Sequence, residues 1–307
     1  MASLRYKLFS SVVKLSNIKK KLSLTGIEFD RFVEKMQAKA QLKLPEGLHK
    51  GMRSSVKEIS GIQCSVIRPE GTYPDKAVIY LFGGGFIMPP DKNDLDYCID
   101  ISKNTGAEVW MPVYPLAPGA RIDEIIEKTL SVYKKVLEAY PSDKVWFYGQ
   151  SSGASLSLYL CSYIRLKGLD LQFPHGLILS SPLFQYPPDR EQQKAIKRLD
   201  KSDVILSANL YKKRGIGQML ECDDKEINAL MDVVNSDLRN FPKSWVFMGD
   251  REIHYAMFRD GIRALRKAKA EVHPITGKGM MHCWGAFAWI PEARALRRKC
   301  YNIVKYQ

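Results

Sequence analysis

Two hydrophobic periods alternate along the chain. Short apolar runs at residues 77–81, 108–113, 144–148, 176–181, 244–248 and 272–275 are bounded by Gly, Pro or charged residues, and their length and continuity read as buried strands. Between and after them, apolar residues recur every three or four positions over 123–140, 154–166 and 291–304, which predicts amphipathic helices. Residues 56–68 alternate and read as a first antiparallel strand or hairpin. Strands interleaved with helical stretches predict an α/β fold, a mainly parallel twisted sheet with helices on both faces. Two segments stand outside that rhythm. Residues 186–240 are polar and helical in pattern, opened by Pro187 and Pro188, and near the start of the chain Leu4, Leu8, Val12 and Leu15 fall at helical spacing.

Composition narrows the class without changing the fold. The 307 residues are 45% hydrophobic and 26% charged, ordinary for a globular chain, and one α/β domain with an added segment absorbs the whole length. No window approaches the ~18 apolar residues of a membrane-spanning helix. Lys14 and Lys19 to Lys21 interrupt what would have to be the apolar core of a signal peptide. The six cysteines include no Cys-x-x-Cys pair, so reduced thiols and a cytoplasmic location are expected. The formal charge of +14 is concentrated at the start of the chain, where residues 1–57 hold 13 basic and 4 acidic side chains. A basic amphipathic helix invites a membrane-surface reading. Nucleic acid is not expected as a partner, because no recognition motif accompanies the charge.

Chemistry enters with Gly149-Gln150-Ser151-Ser152-Gly153, which follows the 144–148 strand and opens the 154–166 helix. A serine on a sharp strand-to-helix turn projects its hydroxyl above the end of a sheet, and the flanking glycines let neighbouring backbone pass close. Upstream, the 77–81 strand runs into Phe82-Gly83-Gly84-Gly85-Phe86, whose bare backbone N–H groups can stabilise an oxyanion. Downstream, the 244–248 strand ends in Gly249-Asp250-Arg251-Glu252, and Gly279-Met280-Met281-His282 follows 30 residues after Glu252. Serine, acid, histidine is the α/β-hydrolase order. An alcohol is a poor nucleophile at neutral pH unless a base takes its proton, and imidazole can take that proton and return it.

These motifs, with Tyr114-Pro115-Leu116-Ala117-Pro118, resemble those of the hormone-sensitive-lipase-like group of carboxylesterases, over roughly residues 50–300. The resemblance implies an α/β-hydrolase with Ser151 as nucleophile, His282 as general base and acid, and Glu252 as the carboxylate that orients the imidazole. It also implies the backbone N–H groups of Gly84, Gly85 and Ser152 as oxyanion donors. Asp250 lies beside Glu252 just past the strand and would share its face in extended backbone; alignment with the family pattern favours Glu252, leaving Asp250 as a loop or capping residue. Residues 1–48 would form a helical part of a cap over a catalytic domain at 49–307, with a further cap insertion at about 186–240, and the apolar stripe of the first helix would then face protein. Membrane contact is the less favoured alternative.

Two positions depart from the family pattern. Phe82 stands where the group usually has His, so the glycine loop can be packed but not hydrogen-bonded by that side chain, and Gln185 replaces an Asp, with loss of a local hydrogen bond expected. His49, His175 and His273 read as linker, strand-entry and strand residues, and His254 as a solvated loop histidine. None has metal-ligand spacing with another His or Cys, so neither a metal nor another cofactor is expected. Cys283, beside His282, reads as a packing residue. The expected function is hydrolysis of a small short-chain ester through an acyl-enzyme. A catalytically weak ligand-binding relative, an amide or peptide hydrolase with the same triad, and a homodimer stay open.

Overall fold

The computed structural model describes residues 2–39, 42–49, 51–212 and 216–307. Nine strands among them form one sheet: β1 (Gly47–His49), β2 (Met52–Ile59), β3 (Ile62–Pro69), β4 (Ala77–Leu81), β5 (Glu108–Pro112), β6 (Val145–Gln150), β7 (Gly176–Ser180), β8 (Lys243–Gly249) and β9 (Val272–Gly277). Their spatial order is β1-β2-β3-β5-β4-β6-β7-β8-β9. The first three strands pair antiparallel, and β3 joins β5 antiparallel; from β5 to β9 every pair is parallel. Every residue of β4, β6 and β7 is buried, as expected for central strands covered on both faces. The expected α/β architecture therefore holds.

Eleven α-helices accompany the sheet among the described residues: α1 (Leu4–Leu15), α2 (Ile18–Leu22), α3 (Ile27–Ala38), α4 (Lys92–Thr105), α5 (Ile122–Leu137), α6 (Ser152–Leu166), α7 (Arg190–Leu199), α8 (Ile216–Leu220), α9 (Lys225–Asn228), α10 (Tyr255–Lys267) and α11 (Pro291–Tyr306). α5 buries Ile122, Ile125, Ile126, Thr129, Leu130 and Tyr133, the 3.6-residue stripe that its sequence predicts. α6 is buried from Ser152 to Ile164, which explains its apolar character all round.

The chain lays β4 beside β5 on one side, then crosses to set β6 on the other. The gap between the carboxyl ends of β4 and β6 is a topological switch point, where open α/β sheets place their ligands. The glycine loop follows β4 and Ser151 follows β6, so both arrive at that gap.

The terminal segment differs from expectation in two respects. It ends in β1, which extends the sheet edge, and the apolar stripe of α1 faces outward. Leu4, Leu8, Val12 and Leu15 are 74%, 61%, 62% and 78% exposed, while Tyr6 is buried and Phe9 and Val13 pack on the core. α1 is nevertheless pinned: the Tyr6 hydroxyl accepts from the Met281 N–H at 2.6 Å, and the Ser3 hydroxyl donates to Glu292 at 3.0 Å. α3 is clasped to the loops after β4 and β5 by the Gln37 amide, which donates to the carbonyls of Ile87 and Ala117 at 2.9 and 2.8 Å. The 186–240 segment is helical only in short pieces, α7 to α9 and several single turns.

Candidate active site

Ser151 joins β6 to α6 with φ 51° and ψ −119°, a conformation that costs a non-glycine residue of order 1–3 kcal/mol. The turn is held from both sides: the Ser151 N–H donates to Ser180 O at 2.8 Å, and its carbonyl accepts from the Ser155 N–H at 3.0 Å. Gly153 follows because the end of β4 passes directly behind the turn, so that a Cβ there would lie 2.0 Å from the Leu81 carbonyl oxygen. Gly153→Ala must move backbone rather than a side-chain tip. We expect it to cost at least the upper end of the ~1–3 kcal/mol typical of overpacking, read as a lowered thermal unfolding midpoint.

The imidazole of His282 reaches the serine. Its Nε2 lies 2.8 Å from Ser151 Oγ, and its Nδ1 is hydrogen-bonded to Glu252 Oε2. Glu252 is fully buried, and its other oxygen accepts from the Gly249 N–H at 2.7 Å and the Ser181 hydroxyl at 2.8 Å. Of the two candidate acids, the structure therefore brings Glu252 to the histidine. The chain does not continue extended past β8; it turns, and the Asp250 carboxylate faces the next loop, accepting from the Gly279 N–H at 2.7 Å. Asp250 thus ties down the loop that carries His282.

Ser181 was not anticipated. It has φ 55°, donates to Glu252, and accepts from the Cys283 N–H at 3.1 Å, so one hydroxyl links the acid to the residue after the histidine. The only local signal was Ser181-Pro182 at the end of a strand. Burial penalises the charged imidazole of His282, yet the Cys283 sulfur and the Glu252 carboxylate more than compensate, and its pKa lies well above the ordinary value. His254 corrects the expectation of a solvated loop residue. It is buried, stands edge-on to His282 with ring centroids 5.0 Å apart, and its Nδ1 lies 3.1 Å from Ser181 O. Burial, reinforced by the neighbouring His282, lowers its pKa to about 4, so it is neutral at physiological pH.

The glycine loop sits opposite. Gly84 has φ 112°, and a Cβ on it would lie 2.6 Å from Met88 O. The N–H groups of Gly84 and Gly85 make no hydrogen bond among the described residues, and that of Ser152, first residue of α6, has no partner within its helix. Phe82 does pack the loop, as expected for an aromatic in place of His: it stacks on Tyr114 with centroids 4.0 Å apart and planes 4° from parallel. Tyr114 also supplies a hydrogen bond, its hydroxyl donating to Phe82 O at 2.6 Å, while Ala117 N–H donates to Phe86 O at 2.8 Å. The 114–118 motif is thus the brace of the glycine loop. Gln185 likewise keeps a local bond, accepting from the Gln192 amide at 2.7 Å.

Ser151, Gly84, Gly85, Ser152, His254, His282 and Cys283 open on one cavity of about 400 Å³. Its apolar walls come from Ile18 and Leu22 of α2, Phe86 and Met88 after β4, and Leu206, Leu210 and Leu220 of the 186–240 segment. The Tyr211 hydroxyl is buried against it with no hydrogen-bond partner among the described residues. Such an orphan costs about 1–3 kcal/mol until something meets it. Cys283 adopts φ 48° with its sulfur 3.6 Å from His282 Nε2. Glu252, His254 and His282 offer ligand atoms within 4.8 Å of one another, but Glu252 and His282 are already joined by their own hydrogen bond. His175 and His273 lie outside the site: His175 Nε2 is 3.0 Å from Gln307 O, and His273 stacks on Trp245.

The profile of the alpha/beta hydrolase fold family matches residues 78–286, a span that runs from the β4 strand through His282. The chain belongs to this family. Over 277 residues it is 20% identical to a versiconal hemiacetal acetate esterase of Emericella nidulans, spanning 86% of this chain and 91% of that protein. A triacylglycerol lipase of Mycobacterium tuberculosis shares 28% identity over 126 residues, 40% of this chain and 27% of the lipase. Among solved structures, an esterase from the bacterial hormone-sensitive lipase family superposes with a TM-score of 0.79 at 19% identity, over 100% of this chain and 99% of that one. An esterase/lipase from an uncultured bacterium gives 0.80 at 18% identity, over 99% and 98%. The α/β-hydrolase fold that the motifs implied is borne out, and an esterase of the hormone-sensitive lipase family is among the structures that share it. No helix among the described residues is long and apolar enough to cross a membrane.

Proposed function

We propose that the protein is a serine carboxylesterase acting on small esters with short acyl chains, through an acyl-enzyme intermediate. The observation that carries this reading is the unbroken line from Ser151 Oγ through the His282 ring to the buried Glu252 carboxylate. Ser151 Oγ attacks the ester carbonyl carbon as its proton passes to His282 Nε2, and the imidazolium is stabilised by Glu252. The negative charge on the former carbonyl oxygen is met by the N–H groups of Gly84, Gly85 and Ser152, each donor worth about 2.7–4 kcal/mol. Collapse breaks the bond to the alcohol oxygen, which takes the proton from His282. Water then gives a proton to His282 and attacks the acyl carbon, and release of the carboxylic acid returns the proton to Ser151.

A cavity of about 400 Å³ lies at the small end of the range for small-molecule sites, which supports a short acyl group. The acetate in the Emericella nidulans relative's name points the same way. In this reading α1 to α3 and the 186–240 segment form the cap, since Ile18, Leu22, Leu206, Leu210 and Leu220 wall the cavity from those elements. A series of p-nitrophenyl esters tests it: kcat/KM is expected to peak at acetate or butyrate and to fall at least about tenfold by decanoate, as methylenes exceed the enclosed volume. A profile rising steadily to decanoate would overturn the short-chain reading. The matched butyryl anilide, expected to turn over far more slowly, separates ester from amide hydrolysis. No turnover of any ester would favour the ligand-binding alternative.

A further inference from the structure

We propose that α1 docks the protein on a membrane surface carrying anionic lipid. The helix has two apolar faces. At 3.6 residues per turn, Leu4, Leu8, Val12 and Leu15 fall within about 80° of arc on one side, and Tyr6, Phe9 and Val13 fall on the other. The second face packs on the protein and satisfies the helix's need for a core; the first is more than three-fifths exposed at every position. Trp289, half exposed, stands beside the packed face, where its ring meets Phe9 edge-on at 4.3 Å. An exposed aliphatic stripe along a basic helix matches a helix lying in the plane of a lipid interface.

Charge decides the occupant. Residues 1–27 hold six basic side chains and no acidic one. Arg5 borders the exposed stripe on one flank, and Lys7 and Lys14 border it on the other. On the lysine flank opens a groove of about 1100 Å³, into which Lys7, Lys14, Lys20, Lys201 and Lys278 all project. None of the five forms an ion pair among the described residues. The two carboxylates of the groove are already engaged: Asp200 by Lys19 at 3.3 Å, and Asp203 by the N–H groups of Ile205, Leu206 and Ile253. A neutral surface would leave this cluster without counter-charge. An anionic bilayer complements both features, taking the aliphatic stripe below its headgroups and the lysines among them.

Vesicle sedimentation with the full chain tests the proposal. Binding to vesicles of phosphatidylcholine with added phosphatidylglycerol is expected to be at least about tenfold tighter than to phosphatidylcholine alone, and to weaken in 1 M salt, where screening shortens to about 3 Å. The triple variant Leu8→Ser, Val12→Ser, Leu15→Ser should lose at least about tenfold in binding with no fall in thermal midpoint, since these side chains touch no core. The variant Lys7→Gln, Lys14→Gln, Lys20→Gln should lose the preference for anionic lipid. Equal binding or no binding to both vesicle types would overturn the proposal, as would unchanged binding by the serine variant. So would a wild-type dimer in sedimentation velocity that the serine substitutions dissociate.

Discussion

Ser151→Ala is expected to lower kcat for p-nitrophenyl butyrate by about 10⁶-fold, the scale seen when a triad nucleophile is removed from a serine hydrolase. The unfolding midpoint should hardly move. Alanine keeps the Cβ, so the φ 51° turn and the close approach of β4 to α6 are unchanged, and only the 2.8 Å bond to His282 Nε2 is lost. The variant also isolates Cys283, whose sulfur stands 3.6 Å from the same nitrogen. If that thiol could replace the hydroxyl, Ser151→Ala would retain turnover that iodoacetamide abolishes, and the serine assignment would fall. If only the serine is correctly placed, Cys283→Ser should leave the wild-type rate within about tenfold, a change of about one hydrogen bond's net worth.

The parts legible in the sequence were those whose structure is set by local pattern and burial together. β4, β6 and β7 are buried along their whole length, so their apolar runs fall almost residue for residue on the observed strands. α4 was missed because its apolar positions are sparse among Asp, Asn and Lys; its start is fixed by a capping box in which Asp91 and Asp94 exchange side-chain-to-backbone bonds. α10 was missed although Met257, Phe258, Ile262 and Leu265 make a good stripe, because no side chain caps its first turn. β1 is three residues long and paired on one edge only, too short for a period to show.

At the site, the residues that the structure brings together as expected are those carried by a motif, and those whose surroundings differ from expectation are governed by distant partners. His254 looked like a loop residue because nothing within its own segment buries it; the buried environment comes from Ser181, 73 residues away, and from His282. Ser181 and Tyr211 share that non-local origin. The α1 stripe fails differently. Its periodicity was evident, but the helix is apolar on two sides, and local sequence does not say which one the protein takes.

Glu252→Gln is expected to lower kcat/KM by about 10³- to 10⁴-fold while leaving the protein folded. The amide oxygen of Gln can still accept from the Gly249 N–H and the Ser181 hydroxyl, which fixes its NH₂ toward His282 Nδ1. Nδ1 must then accept, the ring proton moves to Nε2, and the nitrogen facing Ser151 can no longer take a proton. Asp250→Asn makes the contrasting case: its carbonyl still receives the Gly279 N–H, so its loss should stay within about tenfold. The pH profile separates the two by sign. Only the neutral imidazole is a base, so wild-type kcat/KM should rise with pH along a limb set by His282, lying above the ordinary imidazole range because the Cys283 sulfur and the Glu252 carboxylate together favour the charged ring against burial. With that carboxylate gone, burial acts with less opposition and the limb should move to lower pH in Glu252→Gln, but not in Asp250→Asn. A limb that moves only in Asp250→Asn would transfer the role of the acid to that residue, and the His282–Glu252 hydrogen bond would then be a feature of packing alone.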